Sequence, residues 1–169
     1  MAIDSFVQPM LKLDIFQGLR PLQITEIARR AYRVVYKPGD YIIREDEDGD
    51  SAIVIVAGEA VRIAGPGLSE PAEAVPCGSL LGEMAMLIEI RYSSTVVART
   101  PVRALRIARD DLQAQMAEDG KLAEHFIQRI TARLSNVLDT LKSIDALVAG
   151  TATLAHGHSG SAAVPAHVH

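Results

Sequence analysis

Residues suited to holding an anion beside a polyol concentrate in Leu80-Leu81-Gly82-Glu83-Met84-Ala85-Met86-Leu87-Ile88, followed by Arg91-Tyr92-Ser93-Ser94-Thr95-Val96. Gly82 lets a backbone approach an anion closely, and a short helix beginning at Glu83 points backbone N–H groups and the positive end of its dipole toward it. The Glu83 carboxylate cannot hold a phosphate. It suits neutral hydroxyls on the same ligand, such as those of a ribose, because an ionised carboxylate only accepts hydrogen bonds. Arg91 brings a positive charge to the start of the strand that follows. The chemistry of this stretch is that of a sugar-phosphate pocket.

No second constellation competes with it. No Ser/His/Asp order and no carboxylate pair stands out, so no catalytic function is expected. Asp46, Glu47, Asp48 and Asp50 lack the alternating Asp pattern and distant glutamate of a calcium loop, and read as an exposed acidic hairpin turn. Cys77 has no histidine or basic neighbour in its loop to activate it. Four of the five histidines form two His-x-His pairs near the C-terminus, where no rigid shell orients them, and His125 is expected at a helix surface. No metal site is assigned. The β-rich region contains no histidine, which argues against the jelly-roll metalloenzymes that place several on facing strands.

The elements that must position the pocket follow from periodicity and turn signals. Residues 9–16 and 21–30 read as short helices, with Pro21 suited to a first helical position. From residue 31 to 108 the texture changes to short segments rich in β-branched and aromatic residues: 32–36, 41–44, 52–57, 60–64, 95–99 and 102–108. Pro38-Gly39-Asp40, Asp48-Gly49-Asp50, Gly58-Glu59, Gly65-Pro66-Gly67 and Thr100-Pro101 separate them, which predicts an all-β sandwich or barrel, most naturally a jelly roll. Asp110 is a candidate N-cap for a helix through Ala117, and Asp119 or Gly120 begins a longer one.

The gapped series Leu13-Asp14-Ile15-Phe16-Gln17-Gly18-Leu19, Tyr36-Lys37-Pro38-Gly39-Asp40-Tyr41-Ile42-Ile43-Arg44-Glu45, Gly49-Asp50-Ser51 and Val56-Ala57-Gly58-Glu59-Ala60 leads into the Gly82-Glu83 cassette. In that order and spacing the chain resembles the cyclic nucleotide-binding domain family as far as about Leu112. Such domains serve catabolite-activator-type regulators, cyclic-nucleotide-dependent kinases and cyclic-nucleotide-gated channels. The resemblance implies a jelly roll with flanking helices and a regulatory, non-enzymatic role. It implies cAMP or cGMP as ligand, with no other cofactor.

Carried over by position, Glu83 binds the ribose hydroxyl and backbone groups at Met84 and Ala85 meet the phosphate. The family's phosphate-pairing arginine falls on Tyr92, with Arg91 one place earlier. Strand side chains alternate, so Arg91 faces away from the pocket in a regular strand and reaches it only through a local bulge or an irregular loop at Glu89-Ile90. Loss of a charge-assisted contact costs roughly 1.5–3 kcal/mol, about 10- to 150-fold in affinity. The hydroxyls of Tyr92, Ser93 and Ser94 soften that loss. The candidate binding set is therefore Gly82, Glu83, Met84, Ala85, Arg91, Tyr92 and Ser93.

The longer helix carries Ile127, Ile130, Leu134, Val137, Leu141, Ile144 and Val148 at alternating intervals of three and four, an a/d repeat over three heptads that Leu138 and Leu147 widen. Such a stripe either packs back on its own β-domain or pairs with a second copy, and a homodimer is expected because it runs past the family's domain end. The expected organisation is N-terminal helices at 1–30, the jelly roll with its cassette at 31–109, C-terminal helices at 110–148 and a disordered His-containing tail at 149–169. That leaves no helix-turn-helix, so a stand-alone form without direct DNA binding is expected, acting through an unidentified protein partner.

A net charge of −4, scattered basic residues and a single cysteine in 169 residues suit a cytoplasmic protein. They offer no general attraction to nucleic acid, and no apolar run approaches the roughly 20 residues a membrane helix needs. Two functional readings remain. One is a cyclic nucleotide sensor that relays occupancy through its C-terminal helix. The other is a degenerate form of the fold that no longer binds nucleotide and acts as a dimerising or docking protein.

Overall fold

A computed structural model of the chain describes residues 4–68 and 70–155. Helix α1 (Asp4–Leu11), a 3₁₀ turn (Asp14–Phe16) and α2 (Pro21–Arg30) precede β1 (Tyr32–Tyr36), β2 (Tyr41–Ile43), β3 (Asp48–Gly49), β4 (Ser51–Ala57), β5 (Ala60–Ala64), β6 (Glu73–Val75) and β7 (Leu80–Leu81). A second 3₁₀ turn (Glu83–Met86) leads to β8 (Ile90–Arg91), β9 (Thr95–Ala98), β10 (Val102–Ala108), α3 (Arg109–Glu118) and α4 (Gly120–Ala155). The strands pair antiparallel in two four-stranded sheets, ordered β1-β10-β4-β7 and β2-β9-β5-β6, with a two-stranded ribbon β3-β8. This is the expected jelly-roll sandwich with flanking helices.

The alternation of β10 explains how the sheets and helices share one strand. Val102 and Ala104 join Ile42, Ile53, Ile55, Val96 and Ala98 in the core between the sheets. Leu105 and Ile107, also buried, point to the opposite face, where α2 and α3 pack on β10 and α1 packs on β4. Because β4 is covered on both faces, its residues 51–55 are buried without a break, and from Ala52 onward they are all apolar instead of alternating.

Several boundaries differ from expectation for identifiable reasons. Pro9 lies inside α1 and does not open a helix, because burial of Val7 and Met10, three residues apart, sets the helix earlier. Asp110 does not cap α3. Ala108 holds the cap position, and Asp110 sits in the first turn, where its carboxylate still complements the dipole. Asp119 does cap α4, its Oδ1 accepting from Lys121 N at 3.1 Å and Leu122 N at 3.2 Å. Its Oδ2 accepts from Gln23 Nε2 at 2.9 Å, and that bond, followed by the one from Leu122, holds the carboxyl below its ordinary range.

The molecule forms two compact units, Met1–Ile127 and Gln128–His169. The first turns of α4 belong to the first. Leu122 and Phe126 are fully buried there, with Phe126 edge-on to Phe16 at 6.2 Å between ring centroids. His125, expected at the surface, is half-buried, with its Nε2 2.7 Å from Ile15 O. In the second unit α4 runs past Val148 to Ala155, and Leu134, Val137, Leu138, Leu141 and Ile144 are exposed along it. His156, His158, His167 and His169 lie outside the described residues.

Phe126→Ala removes a fully buried ring and is expected to lower unfolding free energy by about 3–5 kcal/mol in a denaturant titration. A loss below about 1 kcal/mol would show that this contact does not anchor the start of α4.

Candidate functional site

Strand β7 runs beside β4, and the chain leaves it through Gly82 at φ 64° and ψ 36°, a left-handed conformation that opens the 3₁₀ turn at Glu83. Space as well as conformation demands glycine here. A methyl group on Gly82 would stand 2.6 Å from Tyr92 Cε1, and one on Gly49 would stand 2.7 Å from Ala85 Cβ and 3.1 Å from Tyr92 Cε1. The Tyr92 ring thus lies in a slot bounded by two glycines and packs on the core between the sheets. Its hydroxyl donates to Ser51 O at 2.8 Å.

The structure gathers Gly82, Glu83, Met84 and Ala85 in one turn and sets Tyr92 against it. Glu83 and Met84 are half-buried and Ala85 is buried. The Ala85 N–H, expected to meet a phosphate, donates to Gly82 O at 2.9 Å to close the turn. Arg91 goes elsewhere. The ribbon keeps simple register, Asp48 opposite Arg91 and Gly49 opposite Ile90, without the bulge that would swing Arg91 inward. With Tyr92 turned to the core, its neighbour in sequence points outward. The Arg91 side chain is 69% exposed and pairs with Asp48 Oδ1 at 3.4 Å. Ser93 is exposed as well.

Two arginines that the sequence reading passed over are built into the site. Arg109, at the start of α3, directs Nη1 to three carbonyls: Gly49 O at 2.7 Å, Ile88 O at 3.1 Å and Ala85 O at 3.2 Å. Its own N–H donates to Asp50 O at 2.8 Å. One residue therefore ties β3, the start of β4, the turn after Glu83 and the start of α3. Arg106, on β10, donates from Nε to Ser51 Oγ at 3.0 Å and from Nη2 to Asp50 Oδ2 at 2.8 Å.

Burial alone would raise the Asp50 carboxyl, but hydrogen bonds from Ser51 and Arg106 outweigh it and hold it below its usual value. Burial raises the Tyr36 phenol, and the Arg106 charge opposes that rise. In sequence these arginines are indistinguishable from solvated charges at a strand end and in a first helical turn. Asp50 and Ser51 carried a turn signal and nothing more.

Two cavities, of about 490 and about 480 Å³, lie away from this turn. The first is lined by residues of α1 and the segment Pro76 to Ser79, the second by Tyr36, Tyr41, Arg44 and their neighbours. Among the described residues no cluster of His, Cys, Asp or Glu could hold a metal ion, and no helix is long and apolar enough to cross a membrane.

The fold is a jelly-roll sandwich with this turn built into it, and comparison makes the class specific. The family model described as the cyclic nucleotide-binding domain matches residues 33–119, and the chain belongs to that family. It is 28% identical over 99 residues to a cAMP-dependent protein kinase regulatory subunit of Emericella nidulans, covering 59% of this chain and 24% of the relative. It is 23% identical over 137 residues to a CRP-like cAMP-activated global transcriptional regulator of Mycobacterium tuberculosis, covering 80% of this chain and 61% of the relative. The chain thus spans less than two thirds of either relative. Among solved structures, the N-terminal domain of a transcriptional regulator from Streptomyces coelicolor A3(2) superimposes with a TM-score of 0.67 at 20% identity, covering 79% of this chain and 94% of that one.

Arg109→Ala leaves three carbonyls without their shared donor and is expected to cost about 2–4 kcal/mol of stability. Amide hydrogen exchange should rise first at the turn after Gly82, ahead of the sheets. Uniform loss of protection across the domain would contradict a local clamp.

Proposed function

We propose that this chain is a cyclic nucleotide-binding sensor, taking cAMP or cGMP in the jelly roll at the Gly82–Ala85 turn. The observation that carries the reading is the family match over residues 33–119, which contains a glycine turn held open by its backbone conformation and followed by Glu83. In this reading Glu83 accepts from the ribose hydroxyls, Gly82 and Met84 present backbone to the ligand, the Tyr92 hydroxyl supplies a neutral donor, and Ser93, exposed beside it, is left out of the contact set. Ala85 contributes through the turn it closes. The protein acts as a binding module and not as a catalyst, and ligand shifts its conformation only through differential affinity for two arrangements.

Relay runs from the turn through Arg109 into α3 and on to α4, which pairs with a second copy. Eight large apolar side chains are exposed on α4 between Ile127 and Val148. At about 60–100 Å² each, pairing two such faces removes on the order of 1,000–1,600 Å² from water, the size of a specific protein interface. The a/d spacing favours a second α4 as the occupant.

Isothermal titration with cAMP and then cGMP, on protein freed of co-purified nucleotide, tests the ligand. One site per protomer at micromolar affinity or tighter is expected. Glu83→Ala should then weaken binding by about tenfold or more with little change in melting temperature. No heat and no thermal shift at millimolar ligand would reject the sensor in favour of a fold retained for docking.

Sedimentation tests the relay surface. The chain should sediment as an oligomer, and Leu134→Asp with Leu141→Asp should make it monomeric with the jelly roll intact. A wild-type monomer at high concentration would remove self-pairing.

A further inference from the structure

An anion drawn into the space between the sheets needs a positive charge on the interior face, since an unpaired charge in a low-dielectric site is strongly disfavoured. Arg91 does not provide it, being outward and paired with Asp48. Arg106 is on the correct face. On β10 it follows Val102 and Ala104 at intervals of two, and it stands opposite Ile53 of β4, and all three of these residues belong to the core between the sheets.

Its guanidinium is linked to the turn through short contacts. Nε holds Ser51 Oγ, Ser51 O accepts from the Tyr92 hydroxyl, and the Tyr92 ring covers Gly82. Ser51 Oγ is also 3.4 Å from the Tyr92 hydroxyl. The remaining guanidinium nitrogen, Nη1, makes no hydrogen bond among the described residues, while Nη2 is engaged by Asp50. The side chain is one-third exposed, so solvent and small solutes reach it.

We propose that Arg106 is the cation that receives the ligand's phosphodiester, with the Tyr92 and Ser51 hydroxyls as neutral partners, and that Asp50 is a resident anion competing with that phosphate. This rests on the cyclic nucleotide reading above. The charge balance suits a monoanionic phosphodiester: one arginine meets one negative charge once the other anion beside it, the Asp50 carboxylate, is displaced or shares the guanidinium. A guanidinium can serve both because its five donors fan out in one plane. The assignment also gives Asp50 a function that its position in a turn does not otherwise require. It holds Arg106 in place when the phosphate is not there.

The test is titration with cAMP and cGMP of the wild type and of Arg106→Gln, Arg106→Lys, Arg91→Gln and Asp50→Asn, each with its melting temperature. Arg106→Gln is expected to weaken binding by about tenfold or more, with Arg106→Lys recovering part of the loss. Asp50→Asn is expected to tighten binding by about threefold or more, because it removes the competitor for the guanidinium. Loss of affinity in Arg91→Gln with Arg106→Gln at the wild-type value overturns the assignment and leaves the sensor reading standing. So does a lower melting temperature in Arg106→Gln without any change in affinity. If Arg106→Gln does not fold, Asp50→Asn decides, and unchanged or weaker binding there overturns the proposal. A wild type that binds neither nucleotide overturns the sensor reading itself, and this assignment with it.

Discussion

Tyr92 can lie where it does only because both residues bounding its ring are glycines. Gly49 and Gly82 come from β3 and from the end of β7, and a side chain on either would meet the ring or Ala85 at under 3 Å. The slot they form lets the phenol reach Ser51 O and pack on the core between the sheets. Much of the local architecture follows from this contact. With Tyr92 inward, Arg91 must point outward, Asp48 gains a partner, and the β3-β8 ribbon keeps simple register.

Arg109 turns that packing into a mechanical connection. The carbonyls it gathers come from Gly49, on one wall of the slot, and from Ala85 and Ile88, on the turn that follows the other. A guanidinium shared among three carbonyls is sensitive to their relative positions, since hydrogen bonds weaken steeply with angle and distance. Movement of the turn is therefore felt at the first residue of α3. These contacts join the turn to the start of α3 without involving the pairing of the two four-stranded sheets.

Long elements were legible in the sequence, and short ones were not, for a physical reason. Residues 32–36, 60–64 and 102–108 carry enough alternation to be read as strands, and β1, β5 and β10 occupy those spans. Strands β3, β7 and β8 have two residues each, too few to show a period, and exist because neighbouring strands offer them partners. The cassette was legible as a motif, and so was the register problem at Arg91, because alternation depends only on counting. Arg106 and Arg109 were not legible. Their importance comes from what lies across the sheet and the turn, Asp50 and Ser51 in one case and three carbonyls in the other, and no local pattern records contacts between residues so distant in sequence.

The phenol in the slot also bears on how a ligand could enter. Withdrawing Tyr92 would break its bond to Ser51, worth about 0.5–1.5 kcal/mol, and expose an aromatic ring whose burial is worth about 1.5–3 kcal/mol. Together these would subtract roughly 2–4.5 kcal/mol from any affinity, about 30- to 2,000-fold. A ligand that leaves the ring in place avoids that cost and can still use the hydroxyl, whose oxygen retains acceptor capacity and whose proton can turn from Ser51 O toward an incoming oxyanion. Turning the proton forfeits one neutral hydrogen bond and gains one to a charged oxygen, which is the stronger of the two. Under the proposed sensor reading, Tyr92 is thus a fixed wall beside the ligand and not a gate, and the charge that a phosphate would require comes from another side chain.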